Sequence, residues 1–437
     1  MSVPLRRAIS TPLLFTFILG DILGAGVYVL IGEVTGASGG AVWLPLLLAL
    51  LLAGLTAGSY AELATKYPRA GGASHYANLA FGPAAATFTG FCMLAAGIVS
   101  VAALSRAFGG DYLAEFVSLP VALVVTVFLV GLAMLNIYGI KESLRANVVA
   151  TVIEVGGLVL VIGLGMWIVL RGDADLGRLA EVGTPGESPF TAVLAGAVLA
   201  YYSFVGFETS VNLAEETKDP RRAFPRALFG ALAAAGAVYL LIGLVTSASV
   251  PTDQLAGSSG PLLEVVRAAG GVPTWLFGLV ALIAVANGAL LTGIMSSRLA
   301  YGMAGDGLLP SALTRVLPNR RTPWIAVLAT TALSLVLALT GQVAALAETL
   351  VLLLVIVFTV VNIAVLVLRR DSADTDHFRV PTVVPWLGIG SCALLLTQMS
   401  AEVWLRGAVL IALALVLAAV NARRQRRGAD DAVPAAG

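Results

Sequence analysis

Long, unbroken apolar runs constrain this chain more than any other feature. Twelve of them can be counted, at about 11–32, 39–62, 83–106, 119–139, 147–170, 190–213, 227–250, 273–300, 324–341, 346–368, 383–400 and 404–422. A helix crossing a bilayer needs roughly 20 apolar residues, and hydrocarbon offers no water to bare backbone groups. Continuous rather than alternating hydrophobicity selects helices over a closed barrel. The expected fold class is therefore all-α integral membrane, with 12 transmembrane helices. Composition agrees: 59% of residues are hydrophobic and 12% charged, against about 25% charged in a soluble domain. A net charge of +1 provides no field for nucleic acid. Cys92 and Cys392 both lie in apolar runs and read as small hydrophobes, not as a disulfide framework.

Basic residues set the expected orientation. With the N-terminus inside, 21 of the 26 Lys and Arg fall in inner segments. Both termini are then cytoplasmic. Arg6 and Arg7 precede an apolar run, as in a secretory leader. No small-residue cleavage site follows and Asp21 interrupts the run, so the first span is expected to be retained.

Two spans weaken themselves. The first contains "LGDILGAGVYVLIG", with Gly20, Gly24, Gly26 and Asp21. Glycine costs a helix interior about 1 kcal/mol relative to alanine, and an intramembrane acid costs about 2.5–3.5 kcal/mol on the mildest scale. The sixth span repeats the pattern with Gly206 and Glu208. Five spans separate the two sites, an odd number, so the halves have inverted topology. Paired interruptions of this kind point to a transporter's binding site. An unwound helix frees amides near Gly24, Ala25 and Gly26, where the positive end of the following half-helix suits a carboxylate. It also frees carbonyls around Ile22 and Leu23, and around Tyr202, Ser203 and Val205, that suit an ammonium. An α-amino acid carries both groups on one carbon. The competing reading is that these glycines only allow close helix packing.

The stretches "GAGVYVLIG", "SFVGFETSVNLAEETKDPRRAFP" and "SSRLAYGMAGDGLLP", with "RTPWIAV" and "YPRAGGASHYANLAFG", resemble the amino acid–polyamine–organocation (APC) superfamily, and within it the bacterial permeases similar to cationic amino acid transporters. The resemblance implies a five-plus-five inverted repeat with broken helices 1 and 6. Its parts are a cytoplasmic N-terminus (1–10), a first five-helix repeat (11–171), a second inverted repeat (190–368), two additional helices (383–422) and a cytoplasmic tail (423–437). It also implies secondary transport of amino acids by alternating access. Substrate contacts are expected at Ile22, Leu23, Gly24, Ala25, Gly26, Tyr202, Ser203, Phe204, Val205, Gly206 and Thr292, with Tyr202 closing the site from outside. Where proton-driven family members often carry a lysine in span 5, this chain has Glu154.

Glu154 lies about 10 Å into the membrane at 1.5 Å per residue. It is costly to keep ionised there, which suits a group that carries a proton. Asp21 is expected nearby, because the family packs span 1 against spans 5 and 8. Coupling or gating is thus expected of Asp21, Glu154, Glu208, Ser296 and Ser297. The alternative coupling ion is sodium, held by oxygens of Gly20, Leu23, Ser296 and Ser297. Glu62 is expected to be hydrated at the inner end of span 2. Phe204, Phe207, Thr292 and Gly293 are expected to shape a pocket of moderate size.

The favoured function is proton-coupled symport of neutral or broad-range amino acids in a bacterial plasma (inner) membrane. A sodium symporter and an amino acid/polyamine exchanger are alternatives, and a channel or a membrane-embedded enzyme is a more distant one. No cofactor beyond the coupling ion is expected. The partners are the amino acid and lipid, with no nucleic acid, and the oligomeric state is not readable. No nucleophile elbow, phosphate loop or zinc-ligand spacing occurs in the sequence.

Overall fold

The computed structural model describes residues 9–69, 71–138, 140–183, 186, 188–318, 320, 322–370 and 376–431. Arg6, Arg7 and Arg321 of the orientation count, and 1–8 and 432–437 of the terminal segments, lie outside the described residues. The described chain is helical apart from one isolated bridge, between Ile9 and Thr217. Its α-helices are α1 Thr11–Ile22, α2 Gly26–Ser38, α3 Trp43–Lys66, α4 Gly72–Phe81, α5 Pro83–Phe108, α6 Asp111–Ala114, α7 Val121–Tyr138, α8 Ile140–Leu170, α9 Pro189–Ser203, α10 Pro220–Ser249, α11 Thr252–Ala256, α12 Pro261–Ala269, α13 Thr274–Gly305, α14 Trp324–Thr340, α15 Val343–Leu368, α16 Val383–Leu396 and α17 Ala401–Asp431. Proline opens α1, α5, α9, α10 and α12, a position whose amide needs no helical partner.

Among the described residues nine helices are long and apolar enough to cross a membrane, and α1 with α2 makes a tenth as a bent pair. Two shorter apolar helices, α14 and α16, stand where the ninth and eleventh spans were expected. The short helices α4, α6, α11 and α12 lie in connections that the hydropathy pattern leaves blank.

Both expected interruptions are present, and they differ in form. Between α1 and α2 the chain leaves the helix for Leu23, Gly24 and Ala25 and bends by 46°. At the second site α9 stops at Ser203, and Gly206 turns with φ 131°. The chain then runs as a 3₁₀ helix, Phe207–Glu216, rather than an α-helix. Its polar side chains explain the tighter winding. Thr209 Oγ1, Ser210 Oγ and Asn212 Nδ2 each donate to the carbonyl three residues back, competing with the α-helical ladder.

One packed group joins α1 to α10, α2 to α9, and α3 to both α9 and α10. A second joins α5 to α13, α14 and α15, with α8 against α13. A polar stripe holds α3 to α15. Ser59 donates to Asn362 (2.6 Å), whose amide reaches Thr56 (3.3 Å), and Lys66 Nζ donates to the Leu368 carbonyl (2.6 Å). Glu62 belongs to the same stripe and corrects the expectation of a hydrated acid. It is 1% exposed and accepts two hydrogen bonds from Arg369, at 2.7 and 2.6 Å, and one from the Val380 amide at 3.0 Å. The four-residue helical period brings Glu62 and Lys66 to one face, a spacing visible in the sequence. The partner, some 300 residues away in the chain, is not.

Removing one member of such a pair leaves a buried charge uncompensated, at a cost of about 3–5 kcal/mol. Glu62→Ala should therefore lower the thermal midpoint of the detergent-solubilised protein sharply. Replacing Glu62 and Arg369 together by methionine should recover most of the loss. A neutral Glu62→Ala would mean that the pair does not hold α3 to α15.

Candidate functional site

The two interruptions touch, and glycine is what permits it. A Cβ on Gly26 would sit 2.9 Å from Ser203 Cα, and one on Gly206 would sit 2.8 Å from the Asp21 carbonyl oxygen. Each break thus lies against the other's backbone. On α13, Gly288 faces the same place, with Ala25 3.3 Å from where its Cβ would be.

A cavity of about 530 Å³ opens beside this junction, within the range of small-molecule sites. It is lined by both breaks and by residues of α5, α8, α13 and α15. Among the described residues the amides of Gly24, Ala25 and Gly26 donate to no acceptor. They stand at the N-terminus of α2, where aligned peptide dipoles favour negative charge. On the facing break the carbonyls of Ser203 and Val205 accept no hydrogen bond among the described residues. The Ile22 carbonyl, expected to be open to an ammonium, is instead capped by the Tyr239 hydroxyl. The Tyr202 carbonyl accepts from the Val205 amide at 3.1 Å.

Most expected contacts line the cavity: Ile22, Gly24, Ala25, Gly26, Tyr202, Ser203, Val205, Gly206 and Thr292. Leu23 and Phe204 do not, and both are buried in the packing around it. The Phe204 ring lies against Tyr239 at 5.3 Å, and Phe207 against Tyr60 and Phe358 at 5.8 and 5.5 Å. These phenylalanines, like Gly293, do not shape the pocket. Met93, Leu104, Leu291, Met295, Leu350 and Leu354 do so instead. Their contribution was not visible in the sequence, because apolar residues on many long helices all look alike until the helices are packed.

The three acids are all on the cavity wall. Glu154 is 1% exposed, its Oε1 has no partner, and Asn287 lines the same cavity. Asn287, a mid-span amide on α13, is legible in the sequence as an intramembrane polar group, and its place beside the breaks is not. Asp21 does not pair with Glu154 as expected. It accepts a hydrogen bond from Thr209 Oγ1. The reason is the contact between breaks, which presses Asp21 onto Gly206. Glu208 in turn caps the Gly206 amide at 2.8 Å.

The oxygens proposed for sodium have the following surroundings. A Cβ on Gly20 would sit 3.4 Å from Thr151. Ser296 faces Gly97 of α5 and donates to the Thr292 carbonyl at 2.8 Å. Ser297 turns away from the cavity, donates to the Ile294 carbonyl at 2.9 Å and accepts from Asn136 at 3.4 Å. Of these, Gly20 and Ser296 line the cavity.

One end of the cavity is closed by hydroxyls. Tyr202 meets Ser100 at 3.0 Å, and Tyr112 donates to the Tyr28 carbonyl at 2.7 Å. Beyond them α2 is covered tightly, since a Cβ on Gly32 would lie 2.6 Å from the Ser258 carbonyl oxygen. The other end reaches the exposed residues Gly71, Asn212 and Met295.

A multi-pass helical protein with two broken spans around a closed-ended cavity belongs to the class of membrane permeases. The family model described as amino acid permease matches residues 9–423, and the chain belongs to that family. It is a transporter, not an enzyme, and the family's small-molecule substrates are amino acids. It is 26% identical to the branched-chain amino acid permease BcaP of Bacillus subtilis, over 94% of this chain and 91% of that one. It is 30% identical to a vacuolar cationic amino acid transporter of Arabidopsis thaliana, over 83% of this chain and 66% of the plant protein. A Mycobacterium tuberculosis protein named only as an uncharacterized transporter is 30% identical, over 86% of this chain and 82% of its own length.

The glycine contacts yield a graded expectation. Gly26→Ala and Gly206→Ala should each destabilise by about 1–3 kcal/mol, the first by overpacking and the second also by strained backbone. Gly24→Ala, whose Cβ would meet its nearest neighbour at 3.5 Å, should change stability by no more than about 0.5 kcal/mol. Thermal midpoints of the three variants check the order. Equal effects would mean that the breaks do not press on each other.

Proposed function

We propose that this chain imports amino acids by alternating access, as a proton-coupled symporter of neutral or broad-range L-amino acids. The observation that carries the reading is the run of three amides without acceptors, at Gly24, Ala25 and Gly26, facing the cavity. A carboxylate fits there, and the open carbonyls of Ser203 and Val205 lie opposite for the ammonium. A decarboxylated polyamine leaves those amides unpaired, which buried donors do not tolerate cheaply.

The described state is read as open to the cytoplasm. The open end of the cavity lies by Gly71 and Asn212, in connections that carry Arg69 and Lys218, on the side where basic residues collect. Tyr202 and Ser100 then form the outer closure. Under this reading the five-plus-five inverted repeat relates the two breaks, both termini are cytoplasmic, and the membrane is a bacterial plasma membrane.

Glu154 is assigned the coupling proton. It lies against the cavity with one carboxyl oxygen unpartnered, and both serines proposed for sodium already donate to carbonyls of their own helix. Asp21 and Glu208 are assigned to the junction of the breaks, where they cap Thr209 and the Gly206 amide during closure. Names of the relatives divide between branched-chain and cationic amino acids. The apolar wall of Met93, Leu104, Leu291 and Leu354 favours the neutral class.

Purified protein in proteoliposomes should show saturable, trans-stimulated amino acid exchange and no passive current. An imposed proton gradient should drive accumulation, and replacing sodium by choline should leave it unchanged. Glu154→Gln should abolish gradient-driven accumulation and its pH dependence while keeping exchange. Accumulation with the unmutated pH profile in Glu154→Gln would remove Glu154 from coupling, and sodium dependence would replace the proton by sodium.

A further inference from the structure

One cation on the cavity wall has no place in the scheme above. Arg298, on α13, lines the same cavity as the two breaks. It is partly buried, yet among the described residues no carboxylate lies within ion-pair distance and its guanidinium donates no hydrogen bond. Desolvating a guanidinium without a partner is unfavourable, and among the described residues Arg171, Arg178, Arg267, Arg369 and Arg406 all have acidic partners. Asp21 and Glu208 line the same cavity, so the fold has acids within the shared space and leaves the arginine apart from them.

Position along the helix matters equally. Gly288 of α13 faces Ala25 at the glycine break. Arg298 follows ten residues later, about 15 Å further along the helix at 1.5 Å per residue. That is one turn past Met295, an exposed residue of the cavity lining, and away from the break. Asn212 already bonds the Gly71 amide through its side-chain oxygen at 3.0 Å, so this neighbourhood is ordered up to the mouth.

We propose that Arg298 is a second carboxylate station, which receives the substrate's α-carboxylate between the glycine amides and the cytoplasm. The assignment rests on the permease reading above. A planar guanidinium binds carboxylate through two parallel hydrogen bonds. A station at the mouth catches the anion as it leaves the amides, or as it enters from inside during exchange. Arg298 thereby acts on the inner leg of the cycle. The outer leg ends at the glycine break and does not pass it.

Oriented proteoliposomes that report transport from each face separately test this. The probe is whichever single amino acid gives saturable exchange with the unmutated protein. Arg298→Gln should raise KM for entry from the cytoplasmic face about tenfold, the loss of one charge-assisted contact, and leave KM from the external face within about twofold. Arg298→Lys, which keeps the charge, should recover part of the loss. Unchanged KM at both faces in Arg298→Gln, or an equal rise at both, would overturn the station. If Arg298→Gln does not fold, Arg298→Lys decides alone: a cytoplasmic-face increase supports the assignment and unchanged values contradict it. Absence of amino acid exchange by the unmutated protein would overturn the permease reading itself, and the station with it.

Discussion

Everything at the centre of this protein depends on backbone meeting backbone where two membrane helices stop. Gly26 takes the space beside Ser203, and Gly206 takes the space beside the Asp21 carbonyl. A bilayer normally forbids free peptide groups, because each costs several kcal/mol away from water. Here the two interruptions shelter one another and turn their remaining polar groups to a shared cavity. The helical ladder is given up at Leu23, Gly24 and Ala25 and at Phe204, Val205 and Gly206. Unmatched donors and acceptors are gained at the place where a dipolar solute can reach them.

The surrounding polar contacts follow from that junction. Tyr239 caps the Ile22 carbonyl, Glu208 caps the Gly206 amide, and Thr209 bonds Asp21. Each satisfies a group that the breaks have freed or pressed inward. The amides of Gly24 to Gly26 are treated differently, with no acceptor among the described residues. Remote from the cavity, the stripe of Thr56, Ser59, Glu62 and Lys66 fastens α3 to α15.

Much of this was legible in the sequence because it depends on local chemistry. Glycine weakens a helix wherever it sits, so Gly24, Gly26 and Gly206 announced the breaks. Length and hydropathy located the long helices, but α8 and α10 begin seven residues earlier than expected and α17 ends nine later. Pairings across the bundle were not legible. Asp21 faces Thr209 rather than Glu154, Glu62 meets Arg369, and Phe204 turns to Tyr239, because each depends on which faces of separate helices meet. The winding of 207–216 was missed for another reason. The polar side chains of Thr209, Ser210 and Asn212 donate to carbonyls three residues back along the 3₁₀ segment, and hydropathy does not register that competition.

The claim that bare amides at the first break hold a carboxylate is tested most directly by equilibrium binding. Calorimetry on the purified protein would compare an L-amino acid with its own decarboxylated amine, which keeps the side chain and ammonium and lacks only the anion. The account predicts saturable binding of the amino acid and at least about tenfold weaker binding of the amine, the worth of charge-assisted hydrogen bonds lost. Equal affinity for the two, or preference for the amine, would contradict it.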